Sequence, residues 1–224
     1  MLPSAPTGRR AASAFTLLEM LVVILIIGIL STALAVNVPK WLDNAKMTAS
    51  EANMKKMYMY LLEYQQNHNG NWPGSSGQRF FLRPWKEGQV EKVEQNAQVF
   101  FSPAWPFEQC ALDMGFEEDE IDVVDYLNDW DSIGPGYTSY AGFSSEGDRE
   151  SRRRLQSNPG STAILADARM WHRTAWLYMT ADGASHRLNK AEALDRTGMA
   201  EEDLLELLPG PGCELEELES VAND

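Results

Sequence analysis

Between Leu17 and Val38 the chain runs for 22 residues with a single charge, Glu19. At about 1.5 Å of rise per residue, that stretch makes roughly 33 Å of helix, enough to cross a hydrocarbon core of about 30 Å. A membrane segment is therefore the first constraint on any fold this chain adopts. The carboxylate is the second. Holding it in hydrocarbon costs at least about 2.5–3.5 kcal/mol on insertion scales, so it needs a cation and a reason to be there.

The segment is preceded by MLPSAPTGRRAASA, a Pro-, Ala- and Ser-rich stretch with Arg9 and Arg10, ending at Ala14. Phe15-Thr-Leu-Leu-Glu19 comes next and opens the apolar run. This arrangement resembles the N-terminus of type IV pilins and of type II secretion pseudopilins. The resemblance implies that residues 1–14 are a leader and that a prepilin peptidase/N-methyltransferase cuts between Ala14 and Phe15. It also implies that the new amine is methylated and that the helix joins other pilin-like subunits in a filament core. Glu19 would then meet the free amine of a neighbouring subunit. The family usually carries Gly before the cut, where this chain has Ala14. Two other readings share the same residues. One is a plain membrane anchor. The other is a secretory signal peptide cut after Ala33-Leu-Ala35, although its apolar region exceeds the usual 7–15 residues.

Beyond the leader and helix about 185 residues remain, enough for one domain. A net charge of −14 and an isoelectric point near 4.6 argue against nucleic acid as a partner. Arginines before the helix and acid after it favour the leader inside and the domain outside, and the resemblance implies that this single pass is through the inner membrane, with the domain extracytoplasmic. Cys110 and Cys213 are the only cysteines. They lie far apart in sequence, and with no CxxC pair they do not signal a metal site.

Pro39 interrupts the apolar run, but helical periodicity continues to about His68, so a kink is expected there rather than an end. Met47, Met54, Tyr58, Leu61 and Gln65 form one stripe, and Trp41, Ala45, Thr48 and Ala52 a neighbouring one. This part reads as an amphipathic continuation of the helix over residues 39–70. Asn67-His-Asn-Gly-Asn-Trp-Pro-Gly closes it with turn formers, and His68 reads as a solvated turn residue. A similar Gly-x-x-Pro loop comes after the long helix in pilin-like proteins.

A globular region is expected over residues 71–190. Gln98-Val-Phe-Phe101, Tyr137–Phe143 and Thr162–Ala166 read as strands. Ala175–Thr180 and Ala184–Leu188 read as a hairpin turning at Asp182-Gly183. Residues 108–131 are strongly acidic. They lack EF-hand spacing, so calcium is a weak possibility and no other cofactor is implied. Arg152-Arg-Arg154 reads as a surface ion-pairing loop. Residues 191–224 read as an acidic docking helix and a disordered tail.

His172 stands nine residues before Asp182-Gly183. This H-x9-DG spacing is similar to that of the prepilin-type, processing-associated H-x9-DG family, whose members carry the same kind of N-terminus. Asp182 is expected to serve the turn, and His172 to bond backbone in the core. Asp167, His172, Asp182 and His186 have metal-ligand chemistry, with His172 and Asp182 the weak candidates. The chain as a whole is expected to be α+β, a long N-terminal helix packed on a small, mostly antiparallel sheet. With no GxSxG or HExxH and no convergent nucleophile and base, a structural filament subunit is expected rather than an enzyme. A membrane-anchored ectodomain that binds a ligand or metal is the alternative.

Overall fold

The computed structural model describes residues 16–117, 121–144 and 149–224. Ala14 and Phe15, the expected processing site, lie outside the described residues.

Helix α1 (Leu17–Asn67) runs 51 residues and continues through Pro39. The chain divides into two units, Met1–Trp41 and Leu42–Asp224, so the boundary falls inside α1. In the first unit the described apolar side chains are exposed, from Val22 at 43% to Leu17 at 84%. The polar groups among them close on their own helix. Thr32 Oγ1 donates to the Gly28 carbonyl at 2.9 Å and Asn37 Nδ2 to the Ala33 carbonyl at 2.8 Å. Backbone and side chain are thus satisfied internally, as hydrocarbon requires. Among the described residues, α1 is the one helix long and apolar enough to cross a membrane.

In the second unit α1 buries Asp43, Met47, Ser50, Met54, Met57, Leu61 and Tyr64. Steps of four and three residues give one continuous face. Trp41, Ala45, Thr48 and Ala52, expected as a second stripe, are exposed. One face of a helix is all that a single sheet and its loops can cover.

Five antiparallel strands form the sheet: β1 (Tyr140–Phe143), β2 (Ala163–Asp167), β3 (Ala175–Thr180), β4 (Ser185–Asn189) and β5 (Val221–Ala222). Their spatial order is β4-β3-β2-β1-β5. The architecture is α+β, a long N-terminal helix with an antiparallel sheet, consistent with a pilin-like fold. Alternation along β3 builds both faces. Ala175, Leu177 and Met179 join the core that includes Met47, Met54 and Leu61. Trp176 faces a second core with Leu188, Ala193, Leu204, Leu215, Leu218 and Val221.

Helix α2 (Gln78–Lys86) docks on β1 at Gly142. A Cβ there would stand 2.1 Å from the Gly77 carbonyl oxygen. Helices α3 (Glu94–Ala97), α4 (Phe107–Asp113) and α5 (Val123–Asn128) complete this side.

Several expectations are corrected. Gln98–Phe100 is a 3-10 helix, not a strand. Val99, Phe100 and Phe101 are all buried, which an aromatic cluster of Phe81, Trp85 and Tyr60 around Phe100 requires and an alternating strand would not allow. The Arg152–Arg154 run lies on helix α6 (Arg149–Ser157), where Arg152 donates to the Gly74 carbonyl. His68 is only half exposed. It stacks on Tyr64 at 3.8 Å and pairs with Glu87 at 3.1 Å.

The C-terminal segment differs most. Gly198, with φ at 69°, divides it into α7 (Lys190–Thr197) and α8 (Glu201–Glu206). Beyond α8 the chain is ordered core rather than a disordered acidic tail. Leu215, Leu218 and Val221 are fully buried, and β5 pairs with β1. Buried Gln78 ties the end down: its Nε2 donates to Gly134 O and Asn223 Oδ1, both at 2.7 Å, while its Oε1 accepts from Thr138. The apolar residues, every third one in Leu215-x-x-Leu218-x-x-Val221, outweigh the acidic ones between them, which face solvent.

Candidate functional site

Two places hold the chemistry that the sequence singles out. At the start of α1, Thr16 and Glu19 form a reciprocal cap. Glu19 N–H donates to Thr16 Oγ1 at 3.2 Å, while Glu19 Oε2 accepts from Thr16 N–H and from Thr16 Oγ1–H, each at 2.8 Å. This is the capping box, T-x-x-E, which satisfies two of the four orphan donors at a helix start. The carboxylate thus has a local partner within its own chain, and its other oxygen remains available to a further donor.

The second place is the H-x9-DG stretch, whose two ends lie at opposite ends of β3. At the far end, Asp182 Oδ1 accepts from Thr180 Oγ1 at 2.6 Å and from Ala184 N–H at 3.1 Å. These two bonds hold its carboxyl below the usual carboxylate value. Gly183 comes next at φ 85°, in the left-handed region, against the ring of Tyr58. Tyr58 in turn donates its hydroxyl proton to the Ala181 carbonyl at 3.2 Å. His186 stacks on Tyr178 and approaches Thr180 Oγ1 at 3.3 Å.

At the near end, His172 is 1% exposed, between Asp43 of α1 and Asp167 of β2. Its Nδ1 stands 3.7 Å from Asp43 Oδ1 and its Nε2 3.8 Å from Asp167 Oδ2. Both distances exceed a hydrogen bond, and neither ring nitrogen has a partner. The expectation that His172 bonds backbone is therefore overturned. The backbone of its neighbours does that instead: Asp43 accepts from Arg173 N–H at 3.1 and 3.2 Å and from Thr174 Oγ1 at 3.1 Å. Asp167 accepts from Leu177 N–H at 3.1 Å, and its Oδ1 has no partner. Burial drives the Asp167 carboxyl well above its usual value. Burial also lowers His172, outweighing the pull of Asp43 in the other direction. The neutral imidazole is thereby favoured at neutral pH, and the charged form of the Asp167 carboxyl is disfavoured relative to an exposed one.

These contacts give the spacing a physical meaning. The fifteen residues from Asp43 to Tyr58 rise about 22 Å along a helix. The seven from Thr174 to Ala181 rise about 23 Å along a strand. Strand β3 is thus fastened to α1 at both ends, by Asp43 at one and Tyr58 at the other, over matched lengths.

That separation also divides the four residues with metal-ligand chemistry. Asp167 and His172 lie at one end, Asp182 and His186 at the other. The two nitrogens of His172 face different carboxylates, so one ion would not reach both pairs. No group of three or more His, Cys, Asp or Glu side chains suited to a metal occurs among the described residues. In the acidic stretch, Asp122 caps α5 by accepting from Val124 N–H at 2.7 Å, while residues 118–120 lie outside the described residues. Cys110 and Cys213 are free thiols, one in each core. Burial raises both.

Asp43 is the residue that sequence reasoning missed. Its signal was present: a lone carboxylate on the four-and-three repeat of buried α1 positions.

Residues 9–35 match the family described as the prokaryotic N-terminal methylation motif. No curated protein and no solved structure matches the chain. The match supports a type IV pilin-like prepilin, a substrate of processing. Together with one long apolar N-terminal helix, it is consistent with a single-pass membrane-anchored protein.

Proposed function

We propose that this chain is a structural subunit, a pilin or pseudopilin, that prepilin peptidase cuts between Ala14 and Phe15 and methylates at Phe15. Its N-terminal helix then assembles with other pilin-like subunits into a type IV pilus-like filament or a type II secretion pseudopilus. The methylation-motif match across residues 9–35 carries this reading.

The apolar surface of α1 supports it physically. The described side chains from Leu17 to Val38 are exposed in the isolated chain, and helix packing would bury them in a filament as lipid does before assembly. In the filament Glu19 would offer its remaining oxygen to a neighbour's amine. An unpaired carboxylate in a low-dielectric core costs several kcal/mol, which selects one register. Residues 1–14 would be the leader, 15–38 the filament-core helix, 39–70 its amphipathic continuation and 71–190 the globular H-x9-DG domain, with 191–224 the acidic C-terminal segment. The domain would stand outside the inner membrane.

The test is the N-terminal mass of the chain recovered from membranes. A start at N-methylated Phe15 is expected. A start at Val36 would overturn the reading in favour of a cleaved signal peptide, and a start at Met1 in favour of an anchored ectodomain.

A further inference from the structure

Most buried polar groups in a folded protein have partners. Around His172 several do not. Both ring nitrogens, Asp167 Oδ1 and the Tyr140 hydroxyl, on residues at most 1% exposed, lack hydrogen bonds. His172 stands beside Asp43, a buried residue of α1, and Asp167 lies on the other side of its ring. We propose that Asp43, His172 and Asp167 form a proton-sensitive latch that holds the Asp43–Ser50 part of α1 to the β2–β3 strands, closed while His172 is neutral and released when it takes up a proton.

The charges that face the imidazole decide the direction. Asp43 of α1 attracts a proton to it, but its carboxylate is already engaged by Arg173 N–H and Thr174 Oγ1. Lys46 of α1 and Arg187 of β4 oppose the proton. Arg173 sits next in the chain, and the Tyr140 hydroxyl of β1 is neutral. Asp167 of β2, whose charged form burial disfavours, is a poor source of compensating charge. Desolvation of an imidazolium at a 1% exposed site is the largest contribution and opposes it too. A proton arriving from water therefore favours the conformation in which His172 reaches solvent. Opening at this end leaves the Tyr58–Ala181 fastening in place, since that bond joins a phenol hydroxyl, held above its ordinary pKa by burial, to a backbone carbonyl.

The test uses the full chain in detergent micelles. Ring-proton NMR follows His172, identified among the three histidines by its loss in His172→Gln. Amide hydrogen exchange, corrected for intrinsic pH dependence, compares Asp43–Ser50 with Tyr58–Tyr64 at pH 7.5 and 5.5. His172 is expected to titrate below 6.5, the ordinary histidine value. Protection of Asp43–Ser50 should fall about tenfold or more on acidification while Tyr58–Tyr64 holds, and Asp43→Asn should show low protection at both pH values. Titration above the ordinary value with rising protection would overturn the latch, as the imidazolium would then be pairing with Asp43. Equal change in both segments, or none, would overturn it as well. The wild-type exchange comparison decides the matter even if His172→Gln fails to fold.

Discussion

The ring of Tyr58 occupies the space that a side chain on Gly183 would need: a Cβ at that glycine would stand 2.6 Å from Tyr58 Cε1. The glycine of the D-G turn is thus required twice, by its φ of 85° and by the helix packed against it. Gly183→Ala should destabilise the domain by about 2–4 kcal/mol, from backbone strain and overpacking together. Thermal unfolding of Gly183→Ala, Tyr58→Ala and the double variant checks this. The double variant should recover part of the loss, because only the overpacking is relieved.

Two buried groups give the stability opposite pH slopes. Unfolding releases the Asp167 proton above about its usual 3.8, whereas the folded chain keeps it, so this group's contribution falls as pH rises from there to its raised folded value. For His172 the unfolded chain binds a proton below 6.5 and the folded chain resists it, so stability falls as pH drops through that value. Asp167→Asn should therefore gain on the wild type as pH is raised above 3.8 toward the raised folded value, by at most about 1.4 kcal/mol per pH unit. His172→Gln should lose the acid-side decline. Melting temperatures across that range would show both, and parallel curves for all three chains would contradict the assignment.

The buried face of α1 predicts a contrast between neighbouring methionines. Met57 is fully buried, and Met57→Ala should cost about 2–5 kcal/mol through lost packing and a cavity. Met59 is 62% exposed, and Met59→Ala should change stability by no more than about 0.5 kcal/mol. Denaturation midpoints of the two variants suffice to check it.

Deleting residues 209–224 should unfold or severely destabilise the domain, since it removes β5 and the buried Leu215, Leu218 and Val221. Loss of the cooperative near-ultraviolet transition is the expected result. A truncated chain melting like the parent would show that the sheet does without its fifth strand.

At the other end, the Thr16–Glu19 cap lets two roles of the carboxylate be separated. Thr16→Ala keeps the charge and weakens only the cap, at about 0.5–2 kcal/mol of local helix stability. Glu19→Ala removes both. If Glu19 sets subunit register, membrane insertion should survive in both variants while filament yield falls far more for Glu19→Ala. Equal yields would leave the carboxylate with the cap alone.

Much of this was legible in the linear chain because the physics behind it is local. The apolar run with one carboxylate marks a membrane-length helix. The Asp182-Gly183 turn marks the β3–β4 hairpin, and the alternation along Ala175–Thr180 separates two faces. Tertiary packing decided the rest, wherever the partner of a residue lies far away in sequence. Gln98–Phe101 has strand-forming residues, yet an aromatic cluster from two other segments, α1 and α2, packs around Phe100, and Val99, Phe100 and Phe101 are buried together. The acidic C-terminus looks solvated until three apolar positions are seen to fill the second core and a strand to complete the sheet. His172 and Asp182 are joined in sequence by a spacing, but in the fold they stand near the two ends of one strand, which Asp43 and Tyr58 fasten to α1. Asp43, 129 residues before His172, becomes its neighbour only because a helix and a strand of equal length lie along one another.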